Sequence, residues 1–487
     1  MIHVRFGLMF AVAAHSATWY ISPTGSDSDA GTFAKPFATL QKGQAAAVAG
    51  DTVFLRGGTY SVTTPSTATA GIAITRSGTS DTKRILFWAY RNEVPVFDFA
   101  KLSISTTGYT HGFVVTGSWL YFKGLEIRNV PMNTRSNCGM HIDDAHDNIF
   151  ERMDSHHNAG AGFFIARGTG GHQFLNCDSH DNYDPTSNQG VGQNADGFGV
   201  HYQESGPSTV FKGCRAWWNS DDGWDFISQE VPVITEGCWA YGQGYIESGT
   251  SRPASGNGNG FKMGSSKTGI RHVIRNCVAW KNYASGFYAN HSSGGNTWIN
   301  NTSYGNGTQF DMLASTWDST GNRTDGVTLT GSKVHILRNN IGYPEDNTNM
   351  NGVDSKFNTW DLKIAPAASD FASISDAGWM GTRQADGSLP DIAFLKLKAG
   401  SRMIDKGTPM DIAYAGSAPD LGAYEYGAVP VSIPDLGHKY AAGAVRLYDL
   451  SGRELDPASS RQADGAVIRR EILPDGLVKT IMTTRIQ

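Results

Sequence analysis

A 24-residue interval recurs along this chain and leaves few folds open to it. The segments FERMDSHHN, FLNCDSHDN, FKGCRAWWN, ITEGCWAYGQ, IRNCVAWKN, INNTSYGN and LRNNIGY align with Met153, Cys177, Cys214, Cys238, Cys277, Asn301 and Asn340 in one column. Their spacings are 24, 37, 24, 39, 24 and 39 residues, so three units are bare and three carry an insertion of 13 or 15. A fixed period with insertions confined to particular turns marks a solenoid, in which each unit buries its apolar face only against its neighbours. Within a unit, β-branched and aromatic residues alternate with period two and are broken by Gly, Asn and Asp, which is strand patterning. The 58 glycines suit a turn-rich β protein better than a helical bundle. The expected fold is therefore all-β, a right-handed parallel β-helix with clear repeats over residues 113–345. A β-propeller does not fit, because its units are longer hairpins.

Five residues after the first column comes a second, of Asn158, Asn182, Asn219, Gln243, Asn282 and Asn306. Amides stacked at a turn, about 4.8 Å apart, can hydrogen-bond from coil to coil. Four of the five cysteines share the first column, so they are expected inside the coil as small apolar residues; their spacing resembles no zinc site.

The ends depart from the repeat. Residues 1–17 pair Arg5 with an apolar run and small residues, the layout of a secretory signal peptide, so the chain is expected to be secreted. No other stretch is long and apolar enough for a membrane span. PFATLQKGQAAAVAG is expected to form a short amphipathic helix, begun by Pro36 and ended by Gly50, that caps the first coil. Residues 18–427 form one domain, with 346–427 as a loop-rich closure. Residues 428–487 look like a small C-terminal β module with a sorting or attachment role, or a passive tail. A net charge of −5 without a long basic run speaks against nucleic acid.

A further alignment locates chemistry. An aromatic column, Phe163, Phe198, Trp224, Phe261, Phe287 and Phe310, is expected in the core. The residue after each faces outward: Phe164, Gly199, Asp225, Lys262, Tyr288 and Asp311. Two before the aromatic stand Ala161, Asp196, Asp222, Asn259, Ser285 and Thr308, with Asp221 just ahead of Asp222. Asp196, Asp221, Asp222 and Asp225 thus meet on two adjacent coils. Carboxylates that close repel unless a cation lies between them, and oxygen ligands without histidine favour Ca²⁺. The alternative is a solvated acidic patch, since Asp is common at turns. Lys262 follows one coil on from Asp225. It is either a surface ion pair, worth little, or a base whose ammonium form a nearby Ca²⁺ disfavours. In a uronic-acid polymer, such a base would take the C5 proton while the cation offsets the C6 carboxylate, and the C4–O bond would break. A lysine base implies an alkaline optimum. The insertions at 183–193 and 244–257 would wall the cleft, and Arg252 and Tyr288 are candidate substrate-binding residues.

The run NADGF, SDDGWDF and NGFKMG resembles polysaccharide lyase family nine over roughly residues 18–427. YISPTGSDSDAGTFAKPFATLQKG, RQADGSLPD and GSAPDLGAYEYG are similar to that family's ends. The resemblance implies pectate lyase activity on a β-helix, with Asp196, Asp221, Asp222 and Asp225 as calcium ligands and Lys262 as catalytic lysine. The implied partner is an acidic polysaccharide, polygalacturonate or pectin, and the expected working form is a monomer.

Three other readings stay open. A polygalacturonase-type hydrolase pairs carboxylates for acid–base work but also carries Gly-His-Gly and Arg-x-Lys elements, which are not in the expected place here. An alginate or glycosaminoglycan lyase differs only in substrate, and a carbohydrate-binding β-helix adhesin shares the fold without the chemistry. Walker, HExxH and GxSxG motifs are absent. The 14 histidines, His156, His157 and His180 among them, lack ligand-like spacing and are expected at the surface.

Overall fold

The computed structural model describes residues 16–246, 249–264 and 269–427, and four strands of the C-terminal stretch by their backbone. The expected signal peptide falls almost wholly outside the described residues. From residue 18 onward the chain winds through three parallel sheets, giving one strand to each per coil. The first sheet has 12 strands, from Thr18–Ile21 to Asp354–Lys356. The second has ten, from Gly58–Ser61 to Ile341–Tyr343, and the third ten, from Ala70–Ile74 to Asn347–Thr348. This is a parallel β-helix. It starts earlier and ends later than the clear repeats at 113–345, because the outer coils keep the pairing geometry without the diagnostic columns.

Two kinds of column hold the coils in register. Inside, Phe163, Phe198, Trp224, Phe261, Phe287 and Phe310 are fully buried and stacked, with successive ring centroids 4.6–5.4 Å apart. Cys177, Cys214, Cys238 and Cys277 are also fully buried, and the backbone N–H groups of Cys177 and Cys214 each donate to the next coil's sulfur at 3.4 Å. Beyond Cys277 the column becomes amide: Asn301 Nδ2 donates to Asn340 Oδ1 at 3.1 Å, and Asn340 Nδ2 to Asn358 Oδ1 at 2.8 Å.

The second column is the expected amide ladder. Asn158 donates to Asn182, Asn182 to Asn219 and Asn219 to Gln243 at 2.8–3.1 Å, and Asn282 to Asn306 at 2.8 Å. At Gln243 the longer side chain breaks the series, and the backbone N–H of Gln243 donates to Asn282 Oδ1 instead, at 3.0 Å. The ladder packs against glycines that precede the aromatic column. A Cβ on Gly197 would stand 2.7 Å from Gly223 O and 3.1 Å from Asn219 Nδ2, so only glycine fits there.

The helix near the N-terminus spans Leu40–Ala46, shorter than the Pro36–Gly50 expected. Its boundary is set by Thr39, whose side chain accepts from Lys42 N at 3.1 Å, since Pro36 and Phe37 are held extended by a bridge from Phe37 to Ile21. Leu40 joins the core beside Ile21 and Val53. Residues 360–427 run along the outer face of the second sheet. There Trp379, Phe394, Leu397 and Met403 bury Trp217, Trp239 and Trp280, and Arg383 reaches back to Asp178 at 2.5 Å. A second compact unit, residues 433–487, contains a four-stranded antiparallel sheet of Arg446–Tyr448, Glu454–Leu455, Val467–Ile472 and Val478–Thr483.

Asn219 is fully buried, and its side chain both donates and accepts in the ladder. Asn219→Ala should destabilise the helix domain by about 3 kcal/mol in chemical denaturation, from unsatisfied partners plus a small void. A loss below about 0.5 kcal/mol, within surface-substitution scatter, would show that the ladder is decorative.

Candidate active site

The third sheet assembles the site. Strand alternation sends Trp224 and Phe226 inward and Asp225 outward, and parallel register then lays Gly199, Asp225, Lys262 and Tyr288 in one line across four coils. Asp196 and Asp222 occupy matching positions at the turns before these strands, and the backbone N–H of Asp222 donates to Asp196 Oδ1 at 3.1 Å. All four aspartates face away from the core yet are no more than 4% exposed, because the walls of a cleft cover them. The insertions build those walls: Gln189 and Gln193 from one and Asn257 from the other line a cavity of about 740 Å³ with Asp196, Asp221, Asp225 and Lys262.

Lys262 Nζ lies 3.0 Å from Asp222 Oδ2 and 3.1 Å from Asp225 Oδ2. Asp222 Oδ1 is held by the backbone and side-chain N–H groups of Asn259 at 2.7 and 2.8 Å, and His201 Nε2 stands 3.7 Å from Asp225. Burial and the neighbouring carboxylates push Asp196 and Asp221 well above the usual carboxylate range, and burial raises Asp222 despite Lys262. For Asp225 burial also acts upward, but Lys262 and His201 outweigh it and hold the group low. Burial pulls Lys262 down, and the four carboxylates more than reverse that, so its ammonium is strongly favoured here.

One ammonium among four buried carboxylates leaves the group under-neutralised. Asp196, Asp222 and Asp225 each place an oxygen within a sphere where all such atoms lie inside 4.8 Å of one another. Asp225 Oδ1 is buried with no hydrogen-bond partner among the described residues. An all-oxygen, acidic donor set with a spare lone pair suits a hard divalent cation. Asp221 sits at the margin of this cluster, its Oδ1 accepting from Asn257 N at 2.7 Å.

The other expected residues divide. Tyr288 lies beside Lys262 in the outward line, its hydroxyl 3.3 Å from His291 Nε2, and burial pushes its phenol up to about 12. Arg252 is placed elsewhere: its guanidinium covers the Tyr283 ring, 3.0 Å from the centroid, and donates to Gly256 O at 2.9 Å. It is outside the cleft lining, so its placement lends no support to substrate binding.

Of the histidines expected at the surface, His156, His157 and His180 come together on the second sheet, whereas His172, His272 and His335 are buried. DSH recurs on two adjacent coils, pairing Asp154 with Asp178 and His156 with His180. The repeated tripeptide 24 residues apart was the available signal. His180 Nδ1 lies 2.7 Å from Asp181 and Nε2 3.2 Å from Asp154, while its ring stacks between those of His156 and Trp217 at 4.7 and 4.0 Å. Burial pulls His180 down, but the two carboxylates outweigh it and hold the imidazole at about 9. Two carboxylates beside one imidazolium leave one negative charge over, and the ligand atoms of Asp154, His156 and His180 lie within 4.8 Å of one another. Since the folded value is above that of a free imidazole, this stability is complete below about pH 6.5 and is lost as pH rises through about 9. An NMR titration should therefore put His180 near 9, and a midpoint at the free-histidine value would remove the charged sandwich.

Pectate lyase L of Dickeya dadantii (strain 3937) is 36% identical over 410 residues, covering 84% of this chain and 90% of that protein. The crystal structure of pectate lyase Pel9A matches with a TM-score of 0.71 and 34% identity, over 85% of this chain and 97% of that one. A solved rhamnogalacturonan lyase matches with a TM-score of 0.70 and 32% identity, over 79% of this chain and 97% of that one. The family model described as the Pel9A-like, right-handed β-helix region matches residues 19–357. The chain belongs to the Pel9A-like family of right-handed parallel β-helix proteins.

Proposed function

We propose that this chain is a secreted pectate lyase that cleaves α-1,4-galacturonan by calcium-assisted β-elimination, with Lys262 as the base. The observation that carries the reading is a buried lysine within 3.1 Å of two aspartates, in an acidic cluster at the floor of a long cleft. The pectate lyase names of its relatives support the substrate class. The apolar, Arg-led N-terminus supports export, and no helix among the described residues is long and apolar enough to cross a membrane.

Asp196, Asp222 and Asp225, with Asp221 beside them, would hold the cation. Calcium there supplies positive charge that offsets a uronate carboxylate and so acidifies the adjacent C5–H. The carboxylates that favour the Lys262 ammonium are the same ones that would be engaged with the cation. Once their charge is so engaged, burial dominates, and burial favours the neutral amine. Neutral Lys262 removes the C5 proton, the electron pair forms the C4–C5 double bond, and the C4–O bond breaks. The departing oxygen takes a proton from solvent, leaving a 4,5-unsaturated sugar. Asn259 keeps Asp222 in place through two hydrogen bonds, so the lysine's partners do not swing with it.

Absorbance near 232 nm, a rough position for the unsaturated product, tests this on polygalacturonate. EDTA should abolish the signal and Ca²⁺ restore it. Lys262→Ala should lower kcat by about 10²–10⁴-fold while Ca²⁺ still binds by calorimetry. The rate should also climb as pH rises, because the base works deprotonated. New reducing ends without the chromophore would move the chain to the hydrolases.

A further inference from the structure

The outer face of the second sheet repeats one arrangement on two coils. His156 and His180 pair in register and adopt the same pose, their rings inclined by 10° with centroids 4.7 Å apart. Each Nε2 meets a carboxylate of the preceding coil, Glu126 Oε1 at 3.3 Å from His156 and Asp154 Oδ1 at 3.2 Å from His180. Each Nδ1 is taken by the following residue, His157 Nδ1 at 2.7 Å from His156 and Asp181 Oδ2 at 2.7 Å from His180. An Nδ1–H given to Asp181 leaves the Nε2 lone pair of a neutral His180 directed at Asp154. Histidine ligands are commonly oriented in this way, the far ring nitrogen anchored by an outer carboxylate.

Two further features point to a cation rather than to a finished ladder of ion pairs. Asp154 Oδ1 is enclosed, yet it lies off the line of any hydrogen bond among the described residues. Glu126 meets Arg128, but neither Asp154 nor Asp181 forms an ion pair with a lysine or arginine among the described residues. The contrast one coil on is sharp: Asp178, in the column of Asp154, is held by both Arg215 and Arg383. The ligand atoms of Asp154, His156 and His180 all lie within 4.8 Å of one another. The two imidazoles are mostly covered while the Asp154 side chain is 41% exposed, so an ion has a way in and water can complete its shell.

We propose that Asp154, His156 and His180 form a second metal site, separate from the acidic cleft, that takes a borderline divalent cation of the zinc class. Two imidazole nitrogens with one carboxylate suit such an ion, whereas calcium takes oxygen ligands. In the ion-free chain a proton on His180 fills the place, and the ion replaces it as the two rings turn toward each other. Asp154 and His156 belong to one coil and His180 to the next, so the ion staples two coils together. None of the three residues lines the catalytic cleft, and the site stands whatever reaction the cleft performs.

Calorimetric titration of the full chain with ZnCl₂ tests the site, in excess Ca²⁺ to compete for the acidic cleft. One Zn²⁺ per chain is expected, and saturation should raise Tm by about 3 °C, because the ion binds only the folded coils. His156→Ala and His180→Ala should each weaken binding more than about 10-fold, the least that losing even an orienting partner costs. Because His180 also stacks on Trp217, its alanine variant can lose stability for that reason alone. The wild-type NMR spectrum therefore locates the ion independently. Zinc should shift the ring signals of His156 and His180 and leave those of the buried His172 and His272 in place. No zinc uptake in excess Ca²⁺, or uptake that leaves the His156 and His180 signals unmoved, overturns the proposal. Unchanged zinc affinity in a folded His156→Ala chain does the same.

Discussion

Hydrogen bonding from each coil to the next, at the spacing of neighbouring strands, is the constraint on which everything else in this molecule rests. Backbone pairing supplies most of it, but a parallel coil could slip unless something at the turns fixes its register. The buried amides do so: each of Asn158, Asn182 and Asn219 reaches a partner exactly one coil away. Their packing in turn demands the glycines at Gly197, Gly223 and Gly260, where a Cβ would meet the backbone of the next coil. Ladder and glycine column are thus one device, and neither tolerates change alone.

The active site exploits the same register. Stacking makes every side chain in a column a neighbour of the next, so placing acids at successive positions forces them together whether or not that is electrostatically comfortable. The fold absorbs the strain that Asp196, Asp222 and Asp225 impose because aromatic stacking beneath them is extensive and fixed. On the coils just before these the same outward position holds rings instead of charges, His141 and Phe164 pairing in register and meeting ring to ring. A single sheet can therefore carry an electrostatic centre and an aromatic stretch side by side, the difference lying only in which residue occupies each outward position.

Much of this was legible in the sequence, for a physical reason: in a solenoid, sequence period converts directly into distance. The cysteine, aromatic and amide columns, and the meeting of Asp225 with Lys262, all follow from counting residues. What escaped was whatever the period does not encode. The first coils lack the diagnostic columns, so residues 18–112 could be assigned to the domain but not placed in register. Arg252 lies in an insertion, where position relative to the coil is free, and its docking on Tyr283 had no periodic signal. The histidine group did have one, in the two DSH tripeptides, but histidines spaced by 24 residues do not resemble a local motif.

The thiol column has a practical corollary. Cys177, Cys214, Cys238 and Cys277 are completely enclosed, and no small reagent reaches them while the central coils stay closed. Cys138 is different, since it borders the cleft. Alkylation of the four enclosed sulfurs therefore requires the sheets around them to part, and its rate measures how often that happens. The protein carries its own reporters of breathing, one per coil through the middle of the molecule, without any label having to be introduced.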